Sequence, residues 1–232
     1  MFVKKCVFWI VFIASVIALC IICVKATEQQ SYFPLLGKVI VVDPGHGGRD
    51  PGTIYGTIYE KDINLAIAKV LERILSEHGA IVYMVREDDS DLSSIYDAKK
   101  KRGDLYRRIL FLEDEKKKTD LYLSIHINWY KNPSWSGAEV LYNEINPNNK
   151  ILGELLMKHF KNDFNTKRSL KKTDLYLYKN TRKPGVLIEC GFLSNPNERY
   201  LLRQTDYQEK LSKTITNAVV EYFQTISKEA SG

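Results

Sequence analysis

The chain has little cysteine where it would matter and no strong charge of either sign. Three of its four cysteines (Cys6, Cys20, Cys23) fall within the first 26 residues, leaving only Cys190. No disulfide can therefore form within the remainder, and its core must hold unaided. The formal net charge is +6, but Lys4, Lys5 and Lys25 stand in that first segment, which has no acid. Residues 27–232 then carry 31 bases against 28 acids, a net +3. Such a weak balance lacks the dominant basic face of a nucleic-acid binder. Internal repeats and a second domain are also missing. A hydrophobic share of 44% over 232 residues is ample for one packed core and excludes wholesale disorder.

What is present begins with a leader. Cys6 to Val24 is 19 uncharged, mostly apolar residues, about 28 Å as a helix and close to a bilayer core. Lys4 and Lys5 precede it, so the N-terminus should stay inside and the rest should cross. Val24-Lys25-Ala26 offers a cleavage site, but the run is long for a signal peptide, and an anchor through residues 6–24 is the favoured reading. Either way the domain is expected to be exported and to work outside the cytoplasm. Residues 1–26 are expected to form the signal or anchor segment, 27–36 a linker and 37–228 one folded domain.

Within the domain, strands alternate with helices. Val39–Val42 reads as a buried strand, followed by a Gly/Pro-rich loop from Asp43 to Gly52. A helix opens near Glu60, with Ile63, Ile67, Val70, Leu71, Ile74 and Leu75 on one face and Gly79 at its C-terminus. Strands follow at 81–85, 121–127, 138–142, 175–178 and 186–190. Helices are expected over the charged stretch 93–118, over 149–164, after an Asn195-Pro196 start with Glu198, and along 207–226. The expectation is an α/β fold: one layered domain, a mostly parallel or mixed twisted sheet, and helices on both faces.

Four residues carry chemistry. His46 lies in the Gly-rich loop at the end of the first strand, the edge where open α/β sheets bind ligands, although a backbone-capping role is equally open. Asp50 and Pro51 stand where a dinucleotide fingerprint would continue, and no phosphate-loop ending is present. Glu60 begins a helix, where the dipole alone would favour it. Alternation in Leu121–Asn128 places Ser124, His126 and Asn128 on one face, opposite Leu121, Leu123, Ile125 and Ile127. Glu189 interrupts an otherwise apolar strand, so it must be paired, protonated or near a metal. A simple salt bridge remains an alternative. Two imidazoles and a carboxylate with a second carboxylate nearby have the composition of a catalytic zinc site, which the spacing alone does not establish.

The motifs Val41-Val42-Asp43-Pro44-Gly45-His46-Gly47-Gly48, Glu60-Lys61-Asp62-Ile63-Asn64-Leu65, Ser124-Ile125-His126-Ile127-Asn128 and Ile188-Glu189-Cys190-Gly191-Phe192-Leu193-Ser194-Asn195 resemble the zinc-dependent N-acetylmuramoyl-L-alanine amidases, in the family's order. The resemblance implies that His46, Glu60 and His126 are zinc ligands and that Glu189 is the catalytic carboxylate. It implies hydrolysis of the bond between N-acetylmuramic acid and L-alanine in peptidoglycan. The short form with an apolar leader is most similar to a spore-cortex member that takes part in making muramic lactam for germination, which places it on the outer face of the membrane or in the forespore intermembrane space. The stretch Leu112–Lys118 departs from the Ala-Asn pair usual ahead of the third strand, which bears on local substrate contacts. Wall-binding modules of larger relatives are absent, so an exported or membrane-attached activator is expected as a partner.

Two alternatives belong to other classes. A silent wall-binding scaffold on the same fold would be expected to have lost one of the four residues. A cysteine peptidase using Cys190 conflicts with strand alternation, which turns Cys190 away if Glu189 faces the site. His78 fits a favourable helix C-terminus, and His159 is expected to be a satisfied core residue. Arg86 and Arg108 are left without a role, although either could meet a peptide carboxylate.

Overall fold

In a computed structural model, residues 9–22, 32–94, 96, 97 and 99–229 are described. The apolar leader is helical over 9–22 (α1), and its flanks lie outside the described residues. Among those described, no helix is long and apolar enough to cross a membrane. Packing of the domain begins at Leu35, which is fully buried and donates its N–H to His78 O at 2.9 Å.

Six strands form one sheet in the order β4-β1-β5-β8-β6-β7. They are β1 (Val39–Pro44), β4 (Ile81–Met84), β5 (Leu121–Asn128), β6 (Glu139–Tyr142), β7 (Lys171–Lys172) and β8 (Gly185–Phe192). Pairs among β4, β1, β5 and β8 are parallel, β6 runs antiparallel to β8, and β7 is parallel to β6. The expected α/β sheet, mostly parallel with one reversal, is therefore present. A small antiparallel ribbon, β2 (Ile54–Tyr55) and β3 (Ile58–Tyr59), precedes α2 (Glu60–Glu77).

Period-two alternation splits the core into two layers. Val42, Leu123, Ile125, Val186, Ile188 and Cys190 point into the larger layer, against α2, α4 (Asn148–Phe164) and α7 (Thr205–Glu229). Val41, Tyr122 and Leu187 point the other way, beneath α3 (Lys100–Glu113) and α5 (Tyr176–Lys179). The second layer is small because two short helices cover it. It leaves the C-terminal ends of β5 and β8 uncovered on that face, and the site is there. Gly79 follows the C-cap residue His78 with φ +93°, as the glycine at a helix C-terminus requires.

Two expected elements differ. Residues 175–178 are not a strand: Tyr176–Lys179 is helical, with Leu177 buried in the small layer beside α3, and Lys171–Lys172 takes the sheet edge instead. A four-residue apolar run is ambiguous by periodicity, and its packing partner decides it. Among the described residues of the charged stretch 93–118, the helix covers Lys100–Glu113. Before it, aspartates draw the backbone into loop: Asp91 accepts from Ser93 N at 2.9 Å and Asp104 from Leu92 N at 2.8 Å. After it, Asp114 accepts from Lys116 N and closes a turn.

The short helix α6 (Pro196–Leu201) starts as its sequence indicates. Asn195 accepts from Asn197 N and Glu198 N at 2.9 and 3.1 Å, with proline at the first helical position. Glu198 does not return to the cap. It accepts instead from Gly137 N and Phe192 N, both at 2.7 Å, tying α6 to β8 and to the loop before β6. Asn195→Ala is expected to cost about 1 kcal/mol, read as a lower denaturant midpoint at unchanged slope. An unchanged midpoint would mean that α6 is held without its cap.

Candidate metal centre

His46 follows β1 with φ 63°, a left-handed conformation uncommon for a residue with a Cβ. Its loop is clamped from below by two buried guanidinium groups. Arg86 donates to Pro44 O, Gly45 O and Lys61 O at 3.0, 3.0 and 2.8 Å. Arg108 donates to Pro44 O and His46 O at 3.0 and 2.6 Å and pairs with Asp43 and Asp104. Asp43 also accepts from Ser124 Oγ at 3.0 Å. These two arginines thus satisfy carbonyls of the loop and are not free to receive peptide carboxylates.

Glu60 gathers the site. It is buried at the first position of α2, although its residue type alone asked only for a place near the helix dipole. Its Oε1 lies 3.1 Å from His46 Nε2 and 3.1 Å from His126 Nδ1, and it accepts from Ile127 N at 3.2 Å. Oε2 accepts from Thr53 N at 2.8 Å. The two imidazole rings meet nearly edge to face, centroids 5.0 Å apart. His46, Glu60 and His126 present ligand atoms that all lie within 4.8 Å of one another, a grouping able to hold a metal ion. His46 Nδ1 is 3.0 Å from Asp50 Oδ2. With Nδ1–H donated to Asp50, Nε2 is the nitrogen that would give up its proton and offer a lone pair to a metal, the usual support of a metal-bound histidine.

Two glycines leave the room that this gathering needs. A Cβ on Gly45 would come within 2.2 Å of the His126 ring, and one on Gly52 within 2.6 Å of Glu60 Oε2. Gly52 also has φ +66°.

Glu189 pairs in register with His126 on β5 and with Glu139 on β6. Its side chain is on the open face, while Cys190 is fully buried in the opposite apolar layer with its thiol pushed far up by that burial. The cysteine-peptidase reading therefore has no geometric footing. Glu189 Oε2 is buried without a hydrogen-bond partner. Burial, then the charges of Glu60 and Glu139, push its pKa up to about 8. Burial works against a charged His46, yet bonds to Asp50 and Glu60 outweigh it and raise the pKa to about 9. Glu60 shows the reverse balance: burial opposes its charge, but the two histidines hold it well below the usual carboxylate range. A site that gathers carboxylates, forces protons onto its neighbours and leaves one carboxylate oxygen unpartnered suits a divalent cation.

Residues 40–221 match the N-acetylmuramoyl-L-alanine amidase family Amidase_3. The chain belongs to this family. It is 38% identical over 195 residues to the germination-specific N-acetylmuramoyl-L-alanine amidase of Bacillus subtilis, covering 82% of this chain and 81% of that one. LytC of the same organism is 31% identical, and this chain spans 36% of it. Among solved structures, the CwlD amidase of Clostridioides difficile, in complex with the GerS lipoprotein, superposes with a TM-score of 0.77 at 34% identity. That match covers 82% of this chain and all of the CwlD chain. The activity of the family, amide hydrolysis at N-acetylmuramoyl-L-alanine in peptidoglycan, is accordingly that of this amidase.

All four residues singled out in the sequence converge on one edge of the sheet. Asp50, Asn64, Arg86, Arg108 and Glu139 went without a role there. Glu139 had the same signal as Glu189, a carboxylate in an apolar strand, and is buried with Lys171 at 2.8 Å and Asn128 Nδ2 at 2.7 Å. Asp50 is four residues past His46 in a loop, where no periodicity marks a contact. His159 is half-buried and bonded to Glu221 at 2.8 Å, as a satisfied histidine should be.

Two measurements probe this geometry. Gly45→Ala should leave the fold intact but displace the His126 ring, so metal content by mass spectrometry should fall below a tenth of wild type. Full metal loading in that variant would show the close approach to be unimportant. Because the metal-free His46 keeps its proton up to about pH 9, a metal must displace that proton below this pH. Apparent metal affinity should therefore rise between pH 6.5 and about 9 and level off above. Calorimetry showing pH-independent affinity across that window would contradict the assignment.

Proposed function

We propose that His46, Glu60 and His126 hold a zinc ion and that Glu189 carries the proton in the hydrolysis of the bond between the muramic acid lactyl group and L-alanine. The observation that supports this most directly is the convergence of three donor atoms beside a carboxylate oxygen that has no partner. Two histidines and one glutamate are a familiar set for catalytic zinc with an open position. Zinc in such a site supplies Lewis-acid polarisation of a carbonyl and activation of a water.

The remaining work falls to the chain. Asp50 fixes the tautomer and orientation of His46, and the Arg86 and Arg108 clamp fixes its backbone. Glu189 takes a proton from the attacking water as the carbon–oxygen bond forms. It passes that proton to the alanine nitrogen as the carbon–nitrogen bond breaks, leaving a lactyl carboxylate and a free amino group. Its raised pKa suits both halves of this task, since a group near the working pH can accept and then release a proton. Glu139 beside it contributes to the raising.

The physiological reading is the spore cortex, in muramic lactam formation and germination. It is supported by the likeness to the germination-specific amidase of Bacillus subtilis and to CwlD of Clostridioides difficile. The domain acts outside the cytoplasm, on the outer membrane face or in the forespore intermembrane space, and is held there by residues 6–24 if the leader is retained. An exported or membrane-attached protein activates it, a reading supported by the lipoprotein complex of CwlD. A partner that favours the metal-loaded site must, by reciprocity, be bound more tightly by the loaded enzyme.

Digestion of purified peptidoglycan, followed by mass spectrometry of the fragments, tests the reaction. Stem peptides with new free L-alanine amino groups are expected. New reducing sugar ends or cuts inside the peptide would replace the assignment by a glycosidase or a peptidase. Glu189→Gln keeps the shape but cannot accept a proton, so turnover should drop by about 10²–10⁴ while zinc content stays near wild type. Loss of zinc in that variant would make Glu189 a ligand, and retained turnover would remove its role as the proton carrier.

A further inference from the structure

Between β5 and β6 lies a loop whose side chains have no part in the metal centre. It begins directly after Asn128 and carries Trp129, Tyr130 and Trp135. Trp129 and Tyr130 are 51% and 46% exposed, although rings of this size are normally covered. Exposed rings are unremarkable on a floppy loop, but this one is fixed at several points. Tyr130 N donates to Ser194 Oγ at 3.2 Å, Asn195 Nδ2 to Pro133 O at 2.9 Å, and Gly137 N to Glu198 Oε1 at 2.7 Å. Tyr130 packs on Trp135 with centroids 4.2 Å apart, and the Arg168 guanidinium lies over the same indole at 4.3 Å. Aromatic surface held rigid and left bare is a binding feature rather than a folding one.

Its place relative to the site says what it faces. Trp129 is three residues beyond His126, which is about 10 Å along an extended chain. Asn128, its neighbour, reaches back to Glu139, the register partner of Glu189. The loop thus leaves the same sheet edge as the metal centre, within reach of a long substrate bound there. The substrate of the amidase has two parts. The stem peptide is rich in carboxylates and asks for cations, but Lys171 is engaged by Glu139 and the Arg168 guanidinium is placed over the Trp135 ring. The sugars present flat, weakly polar C–H faces, which suit an aromatic ring. A rigid ring offers that contact at low entropic cost.

We propose that Trp129 and Tyr130 form a glycan-binding platform, stacking on sugar rings of the peptidoglycan strand next to the muramic acid whose amide is cut. This deepens the amidase reading and rests on it for the choice of substrate. The platform lets the enzyme hold the strand by its invariant backbone, leaving the peptide to be placed by the metal centre. It would supply wall affinity in a chain whose net charge gives little general attraction.

The probe is a peptide-free glycan strand of alternating N-acetylglucosamine and N-acetylmuramic acid, titrated calorimetrically into the full chain. Trp129→Ala and Tyr130→Ala should each weaken binding about tenfold, with Trp129→Phe restoring most of it. Tyr32→Ala, an exposed tyrosine on another part of the chain, should bind as wild type does. Thermal melts confirm that each variant is folded, and Trp129→Phe separates loss of a ring from loss of fold. No binding by wild type, or equal binding by the alanine variants, overturns the platform. Binding is read without turnover, so its failure is distinct from that of the reaction. If glycan binding depends on the rings while no stem peptide is ever released, the platform stands and the amidase assignment falls.

Discussion

The placement of His46 rests on two guanidinium groups buried beneath its loop. A Gly/Pro-rich segment that leaves a strand and turns into a left-handed residue exposes several carbonyls to the interior, and each would be costly without a donor. Arg86 and Arg108 supply those donors in fixed forks, and Asp43 and Asp104 neutralise Arg108. Pro44, Gly45 and His46 are held by their backbones, so the imidazole arrives at Glu60 without freedom to swing away. Asp50 then completes the arrangement by holding the ring nitrogen that faces away from the centre.

The second ordering element is the alternation of β5 and β8. One strand face feeds a dry core of leucine, isoleucine and valine, and the other carries Ser124, His126 and Glu189 towards an uncovered edge. Parallel pairing places His126 beside Glu189, and antiparallel β6 adds Glu139. Three titratable groups thus share neighbouring strands by register alone. Their mutual influence follows: burial, then the charges of Glu60 and Glu139, favour a proton on Glu189, and the histidines keep Glu60 ionised against its own burial. One carboxylate is thus held charged while its neighbour is pushed towards neutrality, the separation of environments that marks carboxylates suited to different tasks.

Around this centre the molecule is asymmetric. The sheet face under α2, α4 and α7 is closed by long amphipathic helices and contributes stability. Among the described residues the other face is covered by α3 and α5, and the aromatic loop after β5 is tied instead to the start of α6. Glu198 links these parts, since one buried carboxylate fixes both the end of β8 and the base of that loop. Displacing α6 would therefore loosen that loop as well as the end of β8.

Much of this was legible in the residues. The buried strands, the amphipathic helices, the α6 cap, the core-facing side of β5 and the anomalous carboxylate at Glu189 follow from local pattern, because period and propensity act over a few residues. The convergence of His46, Glu60 and His126 came from resemblance, not from spacing. Local pattern failed at 175–178, where a short apolar run took its conformation from α3, and at Glu139, Arg86 and Arg108. The arginines reach residues 43 to 46 across 41 to 65 residues of chain. A sequence shows that a buried arginine needs acceptors, but not which ones. Only the tertiary structure brings a loop's carbonyls, a distant helix and a neighbouring strand within hydrogen-bond reach, because that distance is fixed by packing between elements and not within them.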